Sequence, residues 1–237
     1  NTQSMLITLN GNELSHGKIP FQRKHKSPKL FLIVGNPASG KDELIEAVHV
    51  IGALHGEIVP KHTDRSWRIG DDDEMICPDM PDPNNLENTI TNPNHDLKNC
   101  DITYVNYGTT YGIKTSVIWD KLRQGITQVL VVSNKAAINK LKETFDDLTV
   151  IVYVYAQITS KEYREIEEKK QLEKKNKDPS YIIDYDYINQ RVDDFDLAWK
   201  LYEDNFMLFN HVFIYADKKE DLFDQIFRLF RAYERGF

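Results

Sequence analysis

The amino-acid sequence predicts a three-layer α/β/α fold in which a mostly parallel sheet lies between two layers of helices. Short apolar runs alternate with segments of helical periodicity along most of the chain, and the first run ends at a glycine-rich turn. The apolar content of 41% is that of an ordinary globular protein. At 237 residues, the chain is long enough for one such domain with a small insertion.

Charge and hydropathy argue against several classes of function. The formal net charge of −7 at pH 7 disfavours general binding to nucleic acid. The longest apolar runs fall far short of the about 20 residues that a membrane-spanning helix needs, and no signal peptide is recognised. We therefore expect a cytoplasmic protein whose partners include neither nucleic acid nor a membrane. The oligomeric state stays open.

The first half of the chain predicts a strand, a helix, a loop region and a hairpin. Lys29–Val34 is an apolar run typical of a buried parallel strand, and 57–60 predicts a brief second strand. Residues 71–99 are acidic and rich in Pro and Asn, so we expect mostly solvated loop there. Asp101–Gly112 predicts a twisted hairpin interrupted at Gly108. The helix after the first strand is indicated by apolar residues at helical spacing: Leu44, Ile45, Val48 and Ile51.

The second half of the chain continues the alternation of strands and helices. The charged segment 160–177 and the following stretch 187–206 together predict a helical hairpin, with the lysines and glutamates of the first helix on a solvated face. A closing helix carries an apolar stripe, which consists of Leu222, Ile226, Leu229 and Phe230. The remaining predicted elements are helices at 116–123 and 135–145 and strands at 127–132, 148–155 and 211–215.

A glycine-rich motif lies between the first predicted strand and the first predicted helix. It matches the phosphate-binding pattern G-x-x-x-x-G-K, the P-loop. In this context the backbone N–H groups and the helix N-terminus face phosphate oxygens, and the lysine bridges the β- and γ-phosphates. A turn that binds nothing is disfavoured because both flanks agree with the motif. We therefore expect ATP binding, with Lys41 as a catalytic residue, by Gly35, Asn36, Pro37, Ala38, Ser39, Gly40 and Lys41.

The residue after this motif is unusual. P-loops normally continue with a serine or threonine that places its hydroxyl on Mg²⁺, whereas this chain has Asp42. A carboxylate could bind Mg²⁺ directly or through water, or it could repel the phosphates and weaken binding. Both interpretations stay open. Asp42 is the candidate metal ligand, and ATP and Mg²⁺ are the expected cofactors.

A second motif follows in the segment 63–71, which has the sequence T-D-R-S-W-R-I-G-D. Together with the P-loop it resembles the guanylate kinase superfamily, in which T-T-R-x-x-R-x-G-E follows the phosphate loop and its helix. The resemblance implies that Arg65 and Arg68 hold the phosphate of the acceptor nucleotide, and that Asp71 stands where the family has Glu. Arginine forks suit this task because they match phosphate oxygens bidentately. Tyr111 matches the tyrosine of the family's Y-G-T-S element, another ligand of the acceptor phosphate.

The chain differs from guanylate kinases at the acceptor side. The family's D-x-D strand end is replaced by Val131, Val132 and Ser133, and Lys114 replaces a serine of the Y-G-T-S element. The glutamate that contacts guanine has no in-register counterpart, although Asp101 lies one position away. Ribose 1,5-bisphosphate phosphokinase is also similar, with G-K-D after its phosphate loop and no acidic pair. The acceptor could therefore be GMP, another nucleoside monophosphate or ribose 1,5-bisphosphate.

The resemblance also implies a division of the chain into parts. The composition of 1–29, with a short apolar piece and a basic segment before the first strand, predicts an N-terminal arm, and the resemblance implies that 30–237 form the guanylate kinase-like P-loop domain. Within that domain the acceptor-binding insertion covers about 61–114, and a helical lid covers about 159–195. In the family, lid arginines close over the phosphates of ATP and exclude water, and Arg191 is the candidate for this role.

These residues predict an ATP-dependent kinase that phosphorylates a small phosphorylated acceptor. Two other classes remain as alternatives. Guanylate kinase-like domains of scaffold proteins bind phosphopeptides without catalysis, and the Asp42 substitution and the missing acidic pair fit that class. A nucleotide-hydrolysing switch would need an acid at the end of the strand 127–132, where the sequence has none.

Overall fold

The computed structural model describes residues 28–37, 43–48, 56–71, 74–106, 108–215 and 219–234. The predicted N-terminal arm lies almost wholly outside these residues, as do Lys41 and Asp42. The helices are α1 (43–48), α2 (Thr115–Arg123), α3 (Lys135–Phe145), α4 (Ser160–Lys177), α5 (Tyr185–Asp204) and α6 (Lys219–Glu234). The strands are β1 (Leu30–Gly35), β2 (Glu57–Ile58), β3 (Lys61–Thr63), β4 (Met75–Ile76), β5 (Asp79–Asp82), β6 (Asn85–Thr91), β7 (Ile102–Asn106), β8 (Thr109–Ile113), β9 (Gln128–Val131), β10 (Thr149–Ala156) and β11 (His211–Tyr215).

The main sheet is parallel throughout and has the strand order β11-β10-β1-β9-β2. β1 lies at its centre and is buried along its whole length, as expected for a strand covered by helices on both faces. Leu30, Leu32 and Val34 belong to the core on one face of the sheet, whereas Phe31 and Ile33 belong to the core on the other. The predicted alternation of strands and helices is confirmed. The apolar stripe of α6 is buried in the core that contains Phe31 and Ile33.

The insertion between β2 and α2 contains a second sheet, of order β4-β3-β8-β7, and a separate hairpin of β5 and β6. The prediction of mostly loop at 71–99 was therefore wrong. Every residue of β6 is exposed, so its strand has no buried face and no alternation of apolar and polar residues to indicate it. The β7–β8 hairpin was predicted correctly, and Gly108 turns it with a positive φ of 74°.

Gly112 of the Tyr-Gly element has a packing role. A Cβ atom at this position would lie 2.6 Å from Leu97 Cδ1 and 2.7 Å from Cys100 Cβ, well inside van der Waals contact. Only glycine therefore lets β8 lie this close to the 3₁₀ turn Leu97–Asn99 and the residue that follows it.

Helices α4 and α5 form the predicted helical hairpin. The lysines of α4 are exposed, which confirms the prediction of a solvated face. Glu167 is the exception to that prediction, because it is only 4% exposed and points into the hairpin with Gln171. In the part of the chain that the structure describes, no helix combines the length and apolar content needed to cross a membrane.

Candidate functional site

The P-loop begins at the carboxyl end of β1, at the centre of the parallel sheet. β9 lies on one side of β1 and β10 on the other. In parallel α/β sheets ligands bind outside the carboxyl ends of the strands, where the chain has crossed to both sides. Gly35, Asn36 and Pro37 are described at this point, and the rest of the motif, 38–42, lies outside the described residues.

The side-chain amide of Asn36 makes hydrogen bonds to two other elements of the fold. Its Nδ2 atom donates a hydrogen bond of 2.9 Å to the main-chain carbonyl of Phe195 on α5. Its Oδ1 atom accepts a hydrogen bond from the hydroxyl of Tyr153 on β10. Since Asn36 is 3% exposed and its amide is hydrogen-bonded at both ends, its side chain is not available to a phosphate.

The end of β9 lies beside the start of the P-loop. The Ser133 hydroxyl donates to the carbonyl of Gly35 at 3.4 Å, and the amide of Asn134 is used to cap α3. The residues 131–134 contain no carboxylate, and the Lys61 ammonium group donates to the Val131 carbonyl at 2.9 Å. Because Mg²⁺ prefers anionic oxygen ligands, these residues do not fit a metal ion held at this strand end.

Lys61 and Glu74 form an ion pair beside this strand end. The Nζ atom of Lys61 lies 3.4 Å from Glu74 Oε1 and 5.7 Å from the ring centroid of Tyr111. Lys61 is only 6% exposed, so its ammonium group depends on the carboxylate, the Val131 carbonyl and the aromatic ring to replace water. The hydrogen bond from Lys61 to the Val131 carbonyl connects the insertion to the main sheet.

Sequence reasoning did not identify either member of this pair. The acidic stretch that contains Glu74 was expected to be a solvated loop, which is wrong for Glu74 itself, since its side chain is 23% exposed. A signal for Lys61 does exist in the sequence. It is a lone lysine at the start of a strand, two residues before the arginine motif, where a long aliphatic stem with a buried charge would need a partner.

Arg65 makes a bidentate ion pair with Asp71. Its two terminal nitrogens donate to the carboxylate at 2.6 Å and 2.8 Å, and the backbone N–H of Arg68 donates to the same group at 2.7 Å. Burial raises the pKa of Asp71, but the hydrogen bonds from Arg65 and Arg68 outweigh it and hold that pKa below its usual value. The hydrogen bond to Asp71 raises the pKa of Arg65, and the neighbouring Tyr111 contributes. Asp71 therefore positions the arginine fork.

The other residues predicted for the acceptor side differ in exposure. The side chain of Arg68 is exposed, whereas Tyr111 is half-buried and stacks on Tyr104 with ring centroids 5.5 Å apart. Asp101, near the position of the guanine-binding glutamate, accepts hydrogen bonds from the Thr115 backbone and hydroxyl and so caps α2. Lys114 is ion-paired with Asp96 at 2.5 Å.

A pair of histidines, His62 and His95, lies on the face of β3 opposite to the side chain of Lys61. His62 is buried, and its Nδ1 atom accepts a hydrogen bond of 3.0 Å from the backbone N–H of Asp96, while His95 Nε2 bonds to the carbonyl of Thr63. Burial lowers the pKa of His62; Lys114 and His95 lower it further, and Asp96 opposes them. His62 is therefore neutral in the native protein at neutral pH, with Nδ1 as the acceptor.

This arrangement predicts a loss of stability in mild acid. An unfolded histidine takes up its proton near pH 6.5, whereas native His62 does so only at lower pH. The stabilisation is complete above pH 6.5 and is lost as the pH falls towards the lowered native pKa. Urea unfolding at pH 7.5 and pH 5.0 measures the decrease in the free energy of unfolding. We expect a larger decrease for the native chain than for His62→Asn, which keeps an acceptor but does not titrate; equal decreases would contradict this prediction.

Arg191, the candidate lid arginine, lies within the helical hairpin. It is half-buried beside Tyr163 and Glu167, both of which belong to α4. Burial lowers the pKa of its guanidinium group, but the nearby tyrosines and Glu167 outweigh it, so the net shift is upward. Arg191 would have to leave these neighbours to approach a phosphate. It lies one helical turn before Phe195, whose carbonyl is bound to the P-loop.

Comparison with solved structures identifies the architecture. The chain matches the crystal structure of guanylate kinase from Anaplasma phagocytophilum with a TM-score of 0.53, over 89% of this chain and 88% of that chain, at 14% sequence identity. The fold is guanylate kinase-like. No protein-family model matches the sequence, and no curated protein matches it either. At this identity the match establishes the fold, and the chemistry must be argued from the residues.

In the guanylate kinase-like fold, the main sheet carries the P-loop and the insertion carries the arginine motif. Lys61 joins the two parts, because its backbone opens β3 of the insertion while its side chain bonds to β9 of the main sheet. Asn36 makes the corresponding connection between the main sheet and the hairpin α4–α5. The predicted donor side, acceptor side and lid are thus linked by buried polar side chains.

Proposed function

We propose that this protein is an ATP-dependent kinase that transfers the γ-phosphoryl group of ATP to a small phosphorylated acceptor. The observation that carries the proposal is a complete G-x-x-x-x-G-K motif at the carboxyl end of the central strand of a guanylate kinase-like fold. ATP would bind at 35–42, and the acceptor phosphate at Arg65, Arg68 and Tyr111. Arg191 would close over the phosphates from the lid.

Phosphoryl transfer needs mainly alignment and neutralisation of charge, so no covalent nucleophile from the protein is required. Lys41 would offset charge on the β- and γ-phosphates. Asp71 would keep the fork of Arg65 oriented, which lowers the cost of ordering that side chain around a phosphate. ATP normally brings Mg²⁺, which offsets phosphate charge when bound, and Asp42 is the candidate ligand on this chain, since the end of β9 does not fit one.

The charges of the insertion favour an acceptor with one phosphate group, such as GMP or another nucleoside monophosphate. The cations Lys61, Arg65 and Lys114 are each paired with a carboxylate. For the first phosphate, Arg68 adds an exposed guanidinium group three residues from Arg65, whereas a second phosphate near Lys61 would meet the carboxylate of Glu74, which is unfavourable for two anions. Ribose 1,5-bisphosphate, the alternative acceptor, carries two phosphates and therefore fits the charges of the insertion less well.

The test is release of ADP from ATP with each acceptor in turn: GMP, AMP, CMP, UMP and ribose 1,5-bisphosphate. We expect turnover with a nucleoside monophosphate and a loss of at least about a hundredfold in Lys41→Ala, since this lysine would contact the transferring group. Lys140→Ala, on the exposed face of α3, serves as the matched control and should retain full activity. Absence of turnover with every acceptor would exclude the kinase.

The second candidate is a non-catalytic domain that binds phosphopeptides at the same arginine site. The lack of a carboxylate at the end of β9 is the observation that favours it. Calorimetry distinguishes the two functions. A kinase should bind a nonhydrolysable ATP analogue through the P-loop, whereas the binding domain should bind a phosphopeptide in an Arg65-dependent manner and show no affinity for the analogue.

A further inference from the structure

One buried amide, that of Asn36, joins three parts of the fold. The residue directly follows β1 and belongs to the P-loop. Its Nδ2 atom holds the Phe195 carbonyl on α5, and its Oδ1 atom is held by the Tyr153 hydroxyl on β10. A side chain that is 3% exposed and bonded at both ends has little freedom to turn, so the loop and the helix keep a defined distance.

Phe195, on α5, contacts the other helix of the hairpin, α4. Its ring stacks on Tyr163 of α4 with centroids 5.0 Å apart and planes inclined by 17°, and Tyr163 is fully buried. Arg191 lies one turn earlier on α5 and is also a neighbour of Tyr163. The position of Phe195 therefore influences both helices of the hairpin and the arginine between them.

A separate contact anchors the other end of α5 to the sheet. The Tyr153 ring stacks on Tyr202 with centroids 4.5 Å apart, and Phe209 packs edge-on against both. The bond from Asn36 to Phe195 lies about two turns nearer to the start of α5. Contact with the sheet holds the end of α5, whereas contact with the P-loop holds its middle.

We propose that Asn36 is a positioning residue that transmits the state of the P-loop to α5 and thereby sets the position of Arg191. The proposal rests on the proposed function, in which the loop binds the phosphates of ATP. When the loop adjusts to bound phosphates, Asn36 moves with it, and the carbonyl of Phe195 follows. The Tyr153 hydroxyl binds the other end of the amide, on the side of β10, so the bond to the helix is made by Nδ2 of Asn36 itself.

Hydrogen–deuterium exchange of residues 185–204 tests this link, in the full chain with and without a nonhydrolysable ATP analogue. Without the analogue, Asn36→Ala should exchange about tenfold faster over 191–199, the effect of losing one hydrogen bond that restrains local opening. Tyr153→Phe removes the other bond of the same amide and should stay within about twofold of the native rate. With the analogue, the native helix should gain protection, and Asn36→Ala should not.

Equal exchange in Asn36→Ala and Tyr153→Phe would overturn the proposal, because the effect would then be general loosening around the amide. If Asn36→Ala does not fold, the native protein still decides, since unchanged exchange of α5 at saturating analogue excludes transmission. Failure of the native protein to bind the analogue would instead refute the proposed function. The comparison of the two variants without nucleotide would then still test the link.

Discussion

Replacing Arg65 by alanine will lower kcat/KM for the phosphorylated acceptor by about a hundredfold to a thousandfold, through loss of a bidentate phosphate contact. Asp71 holds the guanidinium in place through one N–H group on each terminal nitrogen, so the phosphate would contact the guanidinium along another edge. The KM for ATP should change little, since the P-loop lies on a different part of the fold. Steady-state kinetics with each substrate varied separately makes the measurement.

Two control variants distinguish loss of the phosphate contact of Arg65 from loss of its charge and from a general effect of removing an arginine in this segment. Arg65→Lys keeps the charge but loses the fork, so we expect it to recover only part of the activity. Arg68→Ala, at an exposed arginine, should have a smaller effect than Arg65→Ala, because an exposed side chain loses more conformational freedom when it contacts a phosphate. A normal acceptor KM and kcat in a folded Arg65→Ala variant would place the acceptor elsewhere.

The main sheet could be predicted from the sequence because its central strands are buried on both faces. β1 and β10 are continuous apolar runs that no loop or exposed hairpin would contain. The prediction of α3 at 135–145 matched both ends, since Asn134 caps the helix and its apolar residues recur at helical spacing. By contrast, the β5–β6 hairpin has no buried face, so polar composition alone misled the prediction at 71–99.

The motifs of the candidate site could be located in the sequence, but their contacts could not. The bond between Asn36 and Phe195 joins residues that are 159 positions apart, and the bond between Lys61 and Val131 spans 70 positions. No local pattern contains such pairs, because they depend on how the insertion and the hairpin pack against the sheet. Glu167 illustrates the same limit: its helix is charged throughout, and packing against α5 alone decides that this glutamate is buried.

Replacing Lys61 by methionine will lower the free energy of unfolding by about 3 kcal/mol, although methionine fills a similar volume. The change leaves the Glu74 carboxylate without its cation and the Val131 carbonyl without a donor from this side chain. Removing one partner of a largely buried ion pair usually costs more than the pair itself contributes, because the remaining charge is poorly solvated. Urea unfolding followed by circular dichroism measures the difference.

The ion pair of Lys121 and Glu57 provides the matched control. Its side chains are 38% and 36% exposed, against 7% and 23% for Lys61 and Glu74. Lys121→Met should therefore cost less than about 1 kcal/mol. The double variant Lys61→Met with Glu74→Met should recover part of the loss, since it leaves no unpaired charge. If Lys61→Met were no more destabilising than Lys121→Met, the packing of the insertion against the main sheet would not depend on the Lys61 ammonium group.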